Sequence, residues 1–209
     1  MLRIAVAKGR LLDSFFELLG KAGYDCDSAA QASRKLVIDV EAADLRFILA
    51  KPADVPTYVE YGAADLGVVG KDILVESDKH VAELLDLKYG LCRLVVAVTK
   101  DSGITKVQEL DFNSRVTSKY PRIAEEFFNS LGIQVEIIAL NGSIELGPMV
   151  GLSEAIVDIT ETGRTLAENG LVVIETIMES TARLVANRIS LKTQREAIAA
   201  LAGALEGVV

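Results

Sequence analysis

Residues 155–166 read AIVDITETGRTL, an apolar strand with an acidic residue near its end and a Thr-Gly-x-Thr turn that opens a helix. Backbone N–H groups at such a glycine turn, with Thr hydroxyls beside them, form a natural phosphate site. Asp158, just behind the turn, can accept hydrogen bonds from sugar hydroxyls. The stretch therefore indicates an α/β fold and a site for a sugar 5-phosphate. A plain helix start is the alternative, with Thr162 as its N-cap and Asn169-Gly170 as its stop.

Short apolar strands alternate with helical segments along the chain, which predicts α/β units around mostly parallel sheets. Residues 61–70 (YGAADLGVVG) faintly resemble residues 150–159 (VGLSEAIVDI), because each segment follows a helix, turns at a glycine and enters an apolar strand. The similarity predicts two α/β lobes that face each other across a central cleft. One continuous strand is predicted over Leu171–Leu184. The expected lobes are residues 1–88 with 177–209 (lobe I) and residues 89–176 (lobe II).

Bulk composition narrows the class of protein. The 209 residues carry a formal net charge of −8, which argues against a nucleic-acid binder with its basic face. Cys26 and Cys92 have no metal-binding spacing and indicate no disulfide framework, as expected in a reducing cytoplasm. The N-terminus lacks the apolar segment of a secretory signal, and no stretch is long and uncharged enough to span a bilayer. The sequence therefore predicts a cytoplasmic globular protein.

Basic residues stand where strands are predicted to begin or end. Lys8, Gly9 and Arg10 form the turn after the first strand. Arg34 precedes the second strand, and Lys51 follows the third. Ligands of α/β sheets bind at the carboxyl ends of the strands. Each cation alone is more often a solvated surface charge, but several at strand ends of an acidic protein predict an anion site.

A set of segments connects the chain to a known family. In chain order they are residues 7–11 (AKGRL), 32–36 (ASRKL), 54–59 (DVPTYV), 62–72 (GAADLGVVGKD), 116–121 (VTSKYP), 142–148 (GSIELGP) and the phosphate-turn segment through 171. With them the chain resembles ATP phosphoribosyltransferase, the first enzyme of histidine biosynthesis, in its short catalytic form. The family more usually has Thr at the position of Ser118, and many members have Arg at that of Lys51. The resemblance implies two α/β lobes of the type II periplasmic-binding-protein kind.

The reaction that the resemblance implies joins ATP and phosphoribosyl pyrophosphate to give N1-(5-phosphoribosyl)-ATP and pyrophosphate. Adenine N1 is already a nucleophile at neutral pH, so the single histidine, His80, needs no catalytic role. The demanding event is departure of pyrophosphate from a ribose carbon that becomes positive. Mg²⁺ and cationic side chains would stabilise that departure.

The resemblance also implies roles for individual residues. Asp158 and Glu145 would address the ribose hydroxyls or the metal shell, with no residue assigned directly to the metal. Asp65 and Asp72 lie in a matching motif without an assigned contact, and capping of the following helix is their plain alternative. The 5-phosphate would be bound by Thr162, Gly163, Arg164 and Thr165, with main-chain help from Thr160 and Glu161. The pyrophosphate would be stabilised by Arg10 and Arg34 as catalytic residues, with Lys8, Gly9 and Lys51 as further substrate-binding residues.

Partners follow from the same resemblance. They are a separate regulatory subunit similar to histidyl-tRNA synthetase and a second catalytic subunit in a homodimer, with no nucleic acid and no membrane. A solute-binding protein would share the two-lobed plan but lacks a reason for the Thr-Gly-x-Thr turn. A phosphoribosyltransferase of nucleotide salvage would share that turn but not the residue 8–10 and 54–56 segments. A noncatalytic interaction protein is the remaining alternative.

Overall fold

The protein is described by a computed structural model over residues 1–26 and 35–209. These residues form two compact units. Unit 1 comprises Met1–Gly90 and Thr181–Val209, and unit 2 comprises Leu91–Ser180. The sequence placed the two crossings between lobes at 88/89 and 176/177.

Strands and helices alternate through both units. Within the described ranges the strands are β1 Leu2–Ala7, β2 Val37–Val40, β3 Leu45–Ala50, β4 Leu66–Gly70, β5 Ala82–Asp86, β6 Cys92–Thr99, β7 Arg115–Ser118, β8 Glu136–Ala139, β9 Ala155–Thr160, β10 Leu171–Ser180 and β11 Ala182–Ala186. The helices there are α1 Arg10–Lys21, α2 Val55–Glu60, α3 Lys71–Ser77, α4 Pro121–Ser130, α5 Leu146–Met149, α6 Arg164–Glu168, α7 Ser190–Thr193 and α8 Arg195–Glu206. Short 3₁₀ turns cover Glu41–Ala43, Pro52–Asp54, Lys100–Ser102 and Val107–Glu109.

Each unit is built on one mixed sheet. Unit 1 has the strand order β2-β3-β1-β4-β11-β5, in which β1 is parallel to β3 and β4 while the other pairs are antiparallel. Unit 2 has the order β10-β6-β9-β7-β8, in which β7 is parallel to β8 and β9. The α/β class is confirmed, and parallel pairing is confined to three strands per sheet. The antiparallel strands lie where the chain passes between units. The chain leaves unit 1 after β5 and returns to it at β11, and these two strands pair antiparallel. In unit 2 the entering strand β6 pairs antiparallel with β9 and with the leaving strand β10.

The two sheets repeat one plan. Read from β5, the sheet of unit 1 has the order β5-β11-β4-β1-β3 with β2 as an additional strand at the far edge, and the sheet of unit 2 has the order β10-β6-β9-β7-β8. Strands β4 and β9, which contain the similar sequence segments, are both the point at which pairing changes from antiparallel to parallel. The faint similarity in sequence thus coincides with equivalent positions in the two sheets.

The continuous strand predicted over Leu171–Leu184 is wrong. The segment is two strands, β10 and β11, which belong to different sheets and are separated at Thr181. The Thr181 hydroxyl donates to Asp86 Oδ1 at 2.7 Å, and its carbonyl accepts from the Lys71 amide at 3.0 Å. The residues on both sides of Thr181 favour strand structure, so the local sequence does not predict the break. The break is set by the contacts of Thr181 with Asp86 and Lys71.

Helices cover the sheet of unit 1 with apolar side chains. Phe15 of α1 is fully buried and meets Phe47 of β3 edge-on, with 6.5 Å between ring centroids. Near the C-terminus, α8 buries Leu201 and Leu205 in the same core. Unit 2 has its own apolar cluster, which includes Ile156 of β9. Among the helices of the described ranges, none combines the length and hydropathy needed to cross a bilayer.

Candidate functional site

The carboxyl ends of three parallel strands meet at one edge of unit 2. Strand β7 lies between β8 and β9, and Ser118 pairs in register with Ala139 and with Val157. The loops that follow these strands therefore start side by side. This is the edge at which open α/β sheets bind ligands. It carries the Thr-Gly-x-Thr turn, Asp158 and the loop that leads to Glu145.

The turn after β9 is fixed by its own hydroxyl groups. The buried Thr160 Oγ1 accepts a hydrogen bond from the Gly163 amide at 2.9 Å. Gly163 has φ 77°, a left-handed conformation that glycine adopts without steric cost. The Thr162 hydroxyl accepts from the Arg164 amide at 3.4 Å, and Gly163 takes the N-cap position of α6. A plain N-cap at Thr162 is therefore not what the turn forms.

Most residues of the turn are open to solvent. Thr162, Arg164 and Thr165 are exposed, as is Glu161, while Gly163 is half-buried. The first turn of a helix leaves amide donors without partners inside the helix. Thr160 differs from its neighbours, since its hydroxyl is occupied within the turn and gives the turn its shape.

Asp158 and Glu145, which lie 13 residues apart in the chain, are near enough to interact electrostatically. Burial, and to a smaller extent the nearby Glu145 carboxylate, raises the pKa of Asp158 to about 6. The Ile159 amide, which donates to Asp158 Oδ1 at 2.8 Å, and the Lys119 ammonium act in the opposite direction. The structure thus brings together the two acids that were predicted to address the ribose. It adds Lys119, which the sequence analysis did not select.

The loop that carries Glu145 packs closely against β7 at Gly147, two residues further on. The hydroxyls of Thr117 and Ser153 lie 3.0 Å apart beside it, both in buried side chains. A Cβ at Gly147 would lie 2.3 Å from Thr117 Oγ1 and 2.7 Å from Ser153 Oγ, so no other residue fits without a shift. The Gly147 carbonyl accepts from the Leu152 amide at 2.8 Å. No role was predicted for this glycine from the sequence.

The predicted cations of unit 1 stand at the carboxyl ends of β1 and β3. These strands are parallel with Ala7 opposite Ala50, so Lys8 and Lys51 begin neighbouring loops. Gly9 has φ 93° and ψ −152°, and its carbonyl accepts two amides of the first turn of α1. Arg10 is the first residue of α1 and is exposed. Arg34 lies outside the described residues.

Asp65 has a structural role. Its buried carboxylate accepts from the Arg3 amide and guanidinium, from Ser190 Oγ at 2.7 Å and from Gln194 Nε2 at 2.7 Å. Burial raises the pKa of Asp65, but the hydrogen bonds from Arg3 and Ser190 outweigh burial and leave that pKa below its usual value. The carboxylate therefore joins β1 to the C-terminal helices. Asp72 is buried in the first turn of α3.

Comparison with known proteins decides the family. The HisG family model, described as ATP phosphoribosyltransferase, matches residues 51–207. The ATP phosphoribosyltransferase of Caldanaerobacter subterraneus subsp. tengcongensis is 56% identical over 198 residues, which are 93% of this chain and 91% of the relative. The chain belongs to the ATP phosphoribosyltransferase family. As an ATP phosphoribosyltransferase it is an enzyme of the first step of histidine biosynthesis.

Solved structures agree with this assignment. The ATP phosphoribosyl transferase (HisG:HisZ) complex from Thermotoga maritima contains a chain that matches with TM-score 0.82 and 34% identity, over 100% of this chain and 98% of that one. The periplasmic aliphatic sulphonate binding protein SsuA from Escherichia coli matches with TM-score 0.61 and 14% identity, over 98% of this chain and 68% of that one. The second likeness shows the fold alone and confirms the periplasmic-binding-protein-like class. The solute-binding alternative is excluded by family membership in the ATP phosphoribosyltransferases.

Proposed function

We propose that the protein transfers the phosphoribosyl group of phosphoribosyl pyrophosphate to N1 of the adenine of ATP, with release of pyrophosphate. The observation that carries the proposal is the edge of unit 2, where the Gly163 turn and the Asp158–Glu145 acid pair follow neighbouring strands. A phosphate site beside two carboxylates matches a ribose 5-phosphate, which presents an anion and hydroxyl donors. Family membership supports the same reading of the edge.

The turn binds the 5-phosphate in this proposal. The Thr162 and Thr165 hydroxyls and the amides of the first turn of α6 donate to the phosphate oxygens, and Arg164 adds positive charge. Asp158 and Glu145 accept hydrogen bonds from the ribose hydroxyls. Neither acid acts as a base, because adenine N1 attacks with its own lone pair.

The basic residues that were predicted to bind pyrophosphate stabilise the leaving group in this proposal. Arg10 and Arg34 neutralise charge that builds on pyrophosphate, and Lys8 and Lys51 bind the same group. Such stabilisation acts through electrostatics and alignment and needs no proton transfer. His80 fits this reading, since it is exposed and its amide donates to the Glu60 carboxylate at 2.9 Å, a structural contact.

Mg²⁺ completes the proposed site. Within residues 1–26 and 35–209 no group of three or more His, Cys, Asp or Glu side chains could hold a metal ion by itself. Mg²⁺ is commonly bound by one or two carboxylates together with substrate phosphates, and Asp158 and Glu145 offer that donor set. When bound, the metal would offset charge on the diphosphate.

A regulatory subunit is the proposed protein partner. The chain matches 98% of a chain whose structure was solved as a HisG:HisZ complex, at 34% identity. We expect a partner of the HisZ kind, similar to histidyl-tRNA synthetase, and a homodimer of catalytic chains within the assembly. The acidic net charge of −8 fits an enzyme of the cytoplasm that binds neither nucleic acid nor membranes.

The experiment that tests the reaction is a product assay with and without the candidate regulatory subunit. ATP and phosphoribosyl pyrophosphate should give phosphoribosyl-ATP, identified by mass spectrometry, with one pyrophosphate per product. The matched control is 1-deaza-ATP, which lacks N1 and should give no product. Free adenine as acceptor should also be inactive. Transfer to adenine or to 1-deaza-ATP would overturn the proposed reaction.

A further inference from the structure

The repeated plan of the two sheets places a lysine at the same point in each unit. In unit 1 the central parallel strand is β1, and in unit 2 it is β7. The first residue after β1 is Lys8, and the first residue after β7 is Lys119. Both lysines are exposed, and a helix begins two residues further on. Lys119 is thus the unit 2 equivalent of a predicted substrate-binding cation.

The backbone on both sides of Lys119 is fixed. Ser118 Oγ donates to the Val157 carbonyl of β9 at 2.7 Å and accepts from the Tyr120 amide at 2.8 Å. Tyr120 is 1% exposed. Because Ser118 pairs in register with Val157, the next residues along the two strands are Lys119 and Asp158. The lysine is therefore anchored at the edge that carries the acid pair.

The charges around Lys119 leave its ammonium available. Its ammonium lies near enough to Asp158 to lower the pKa of that carboxyl, whereas Glu145 raises this pKa. Nevertheless Lys119 forms no ion pair within 4.0 Å with another residue of the described ranges. An anionic ligand that approaches two carboxylates needs a cation at the same place, and an ammonium on a flexible stem provides one.

We infer that Lys119 is a substrate-binding residue that contacts the diphosphate of phosphoribosyl pyrophosphate. This inference rests on the proposed function and deepens it. The Gly163 turn supplies the donors for the 5-phosphate, and Asp158 and Glu145 supply the acceptors for the ribose hydroxyls. The diphosphate is attached beside those hydroxyls, so a cation next to the acids has the diphosphate as its nearest anionic group.

Calorimetry on the full chain tests the assignment with three ligands. Lys119→Met keeps the aliphatic stem and removes the charge, so affinities for phosphoribosyl pyrophosphate and for inorganic pyrophosphate should each fall about tenfold. Ribose 5-phosphate, which lacks the diphosphate, should bind within about twofold of the parent. Lys119→Arg should recover most of the loss for both diphosphate ligands.

The matched control is Lys100→Met in the same unit. Lys100 is an exposed lysine that follows β6, and β6 runs antiparallel to β9, so Lys100 lies at the opposite edge of the sheet. Its loss should leave all three affinities unchanged. The assignment is overturned if Lys119→Met binds pyrophosphate like the parent, or if Lys100→Met weakens binding equally. It is also overturned if ribose 5-phosphate binding falls as much. A parent chain that binds no phosphoribosyl pyrophosphate would instead overturn the proposed function, and this assignment with it.

Discussion

The Arg3 guanidinium donates to both oxygens of the Asp65 carboxylate, from Nε at 2.9 Å and from Nη2 at 2.8 Å. The Asp65 side chain is 1% exposed, and that of Arg3 is 39% exposed. A second Arg–Asp pair in the same sheet, Arg46–Asp39, joins two side chains that are both more than 40% exposed. The two pairs share their chemistry and differ in burial.

Loss of Arg3 should destabilise unit 1. Arg3→Met leaves a buried carboxylate without its main counter-charge, so the free energy of unfolding should fall by about 3 kcal/mol. Denaturant titration followed by circular dichroism measures the change. Arg46→Met is the matched control and should cost at most about 1 kcal/mol, because that pair is exposed. An equal decrease in the free energy of unfolding in both variants would show that the burial of Asp65 does not increase the contribution of its ion pair to stability.

Asp158 should make stability depend on pH. Its pKa is about 6 in the folded chain, above the ordinary 3.8, so the folded state holds the proton more tightly than the unfolded state. Stability from this group is therefore full below about pH 4 and is lost as pH rises through 6. Asp158→Asn should raise the free energy of unfolding by on the order of 1–3 kcal/mol at pH 8 and by nothing at pH 3.5. A variant no more stable than the parent at pH 8 would contradict this, and the exposed Asp101→Asn serves as control.

Thr165 should contribute to phosphate binding. Thr165→Val keeps the shape and removes one hydroxyl donor to an anion, which corresponds to about 1.5–3 kcal/mol. Affinity for phosphoribosyl pyrophosphate should fall on the order of tenfold to a hundredfold by calorimetry. Thr176→Val, on the exposed face of β10, should leave affinity unchanged. If both variants bind like the parent, the turn does not use this hydroxyl.

Gly147 should be intolerant of any side chain. Gly147→Ala puts a Cβ against Thr117 and Ser153, so the free energy of unfolding should fall by about 1–3 kcal/mol and the neighbouring Glu145 should shift. Gly142→Ala, five residues earlier, meets no atom within 4 Å and should be neutral. Thermal unfolding and turnover measure the two effects. Wild-type behaviour of Gly147→Ala would mean that the loop relaxes without consequence.

Arg10 should act mainly in the transition state. Arg10→Ala should lower kcat and kcat/KM together in single-turnover and steady-state assays, with little change in binding. Arg10→Lys should restore only part of the rate, because a lysine cannot make two parallel hydrogen bonds. Lys21→Ala, in the last turn of the same helix, removes a charge at the other end and should have no effect. A rise in KM alone for Arg10→Ala would make the arginine a substrate tether.

Local signals in the sequence identified much of the fold and of the site. The Gly163 turn and the apolar strand before it have short-range causes, namely a glycine with positive φ and an alternation of strand and helix. The basic residues at strand ends are recognisable because the alternation of strand and helix shows where each strand ends. Lys119 carries the same signal as Lys8, a basic residue directly after a short strand, but it was not among the predicted site residues.

Contacts between residues that are far apart in the chain could not be predicted from the sequence. Asp65 finds Ser190 and Gln194, which are 125 and 129 residues away in the chain. The break at Thr181 depends on Asp86, 95 residues away. Neither partnership leaves a mark in composition or periodicity, because each exists only once the chain has folded.

Insertion of β11 between β4 and β5 has a consequence for biosynthesis. Among the described strands β5 pairs with β11 alone, and β11 separates β5 from β4. A nascent chain that has just left the ribosome as far as Gly90 therefore has no neighbour for β5. Unit 2 is one continuous stretch, so all of its strands are synthesised before β11. Unit 1, whose synthesis starts first, is therefore the last of the two units to obtain all of its strands.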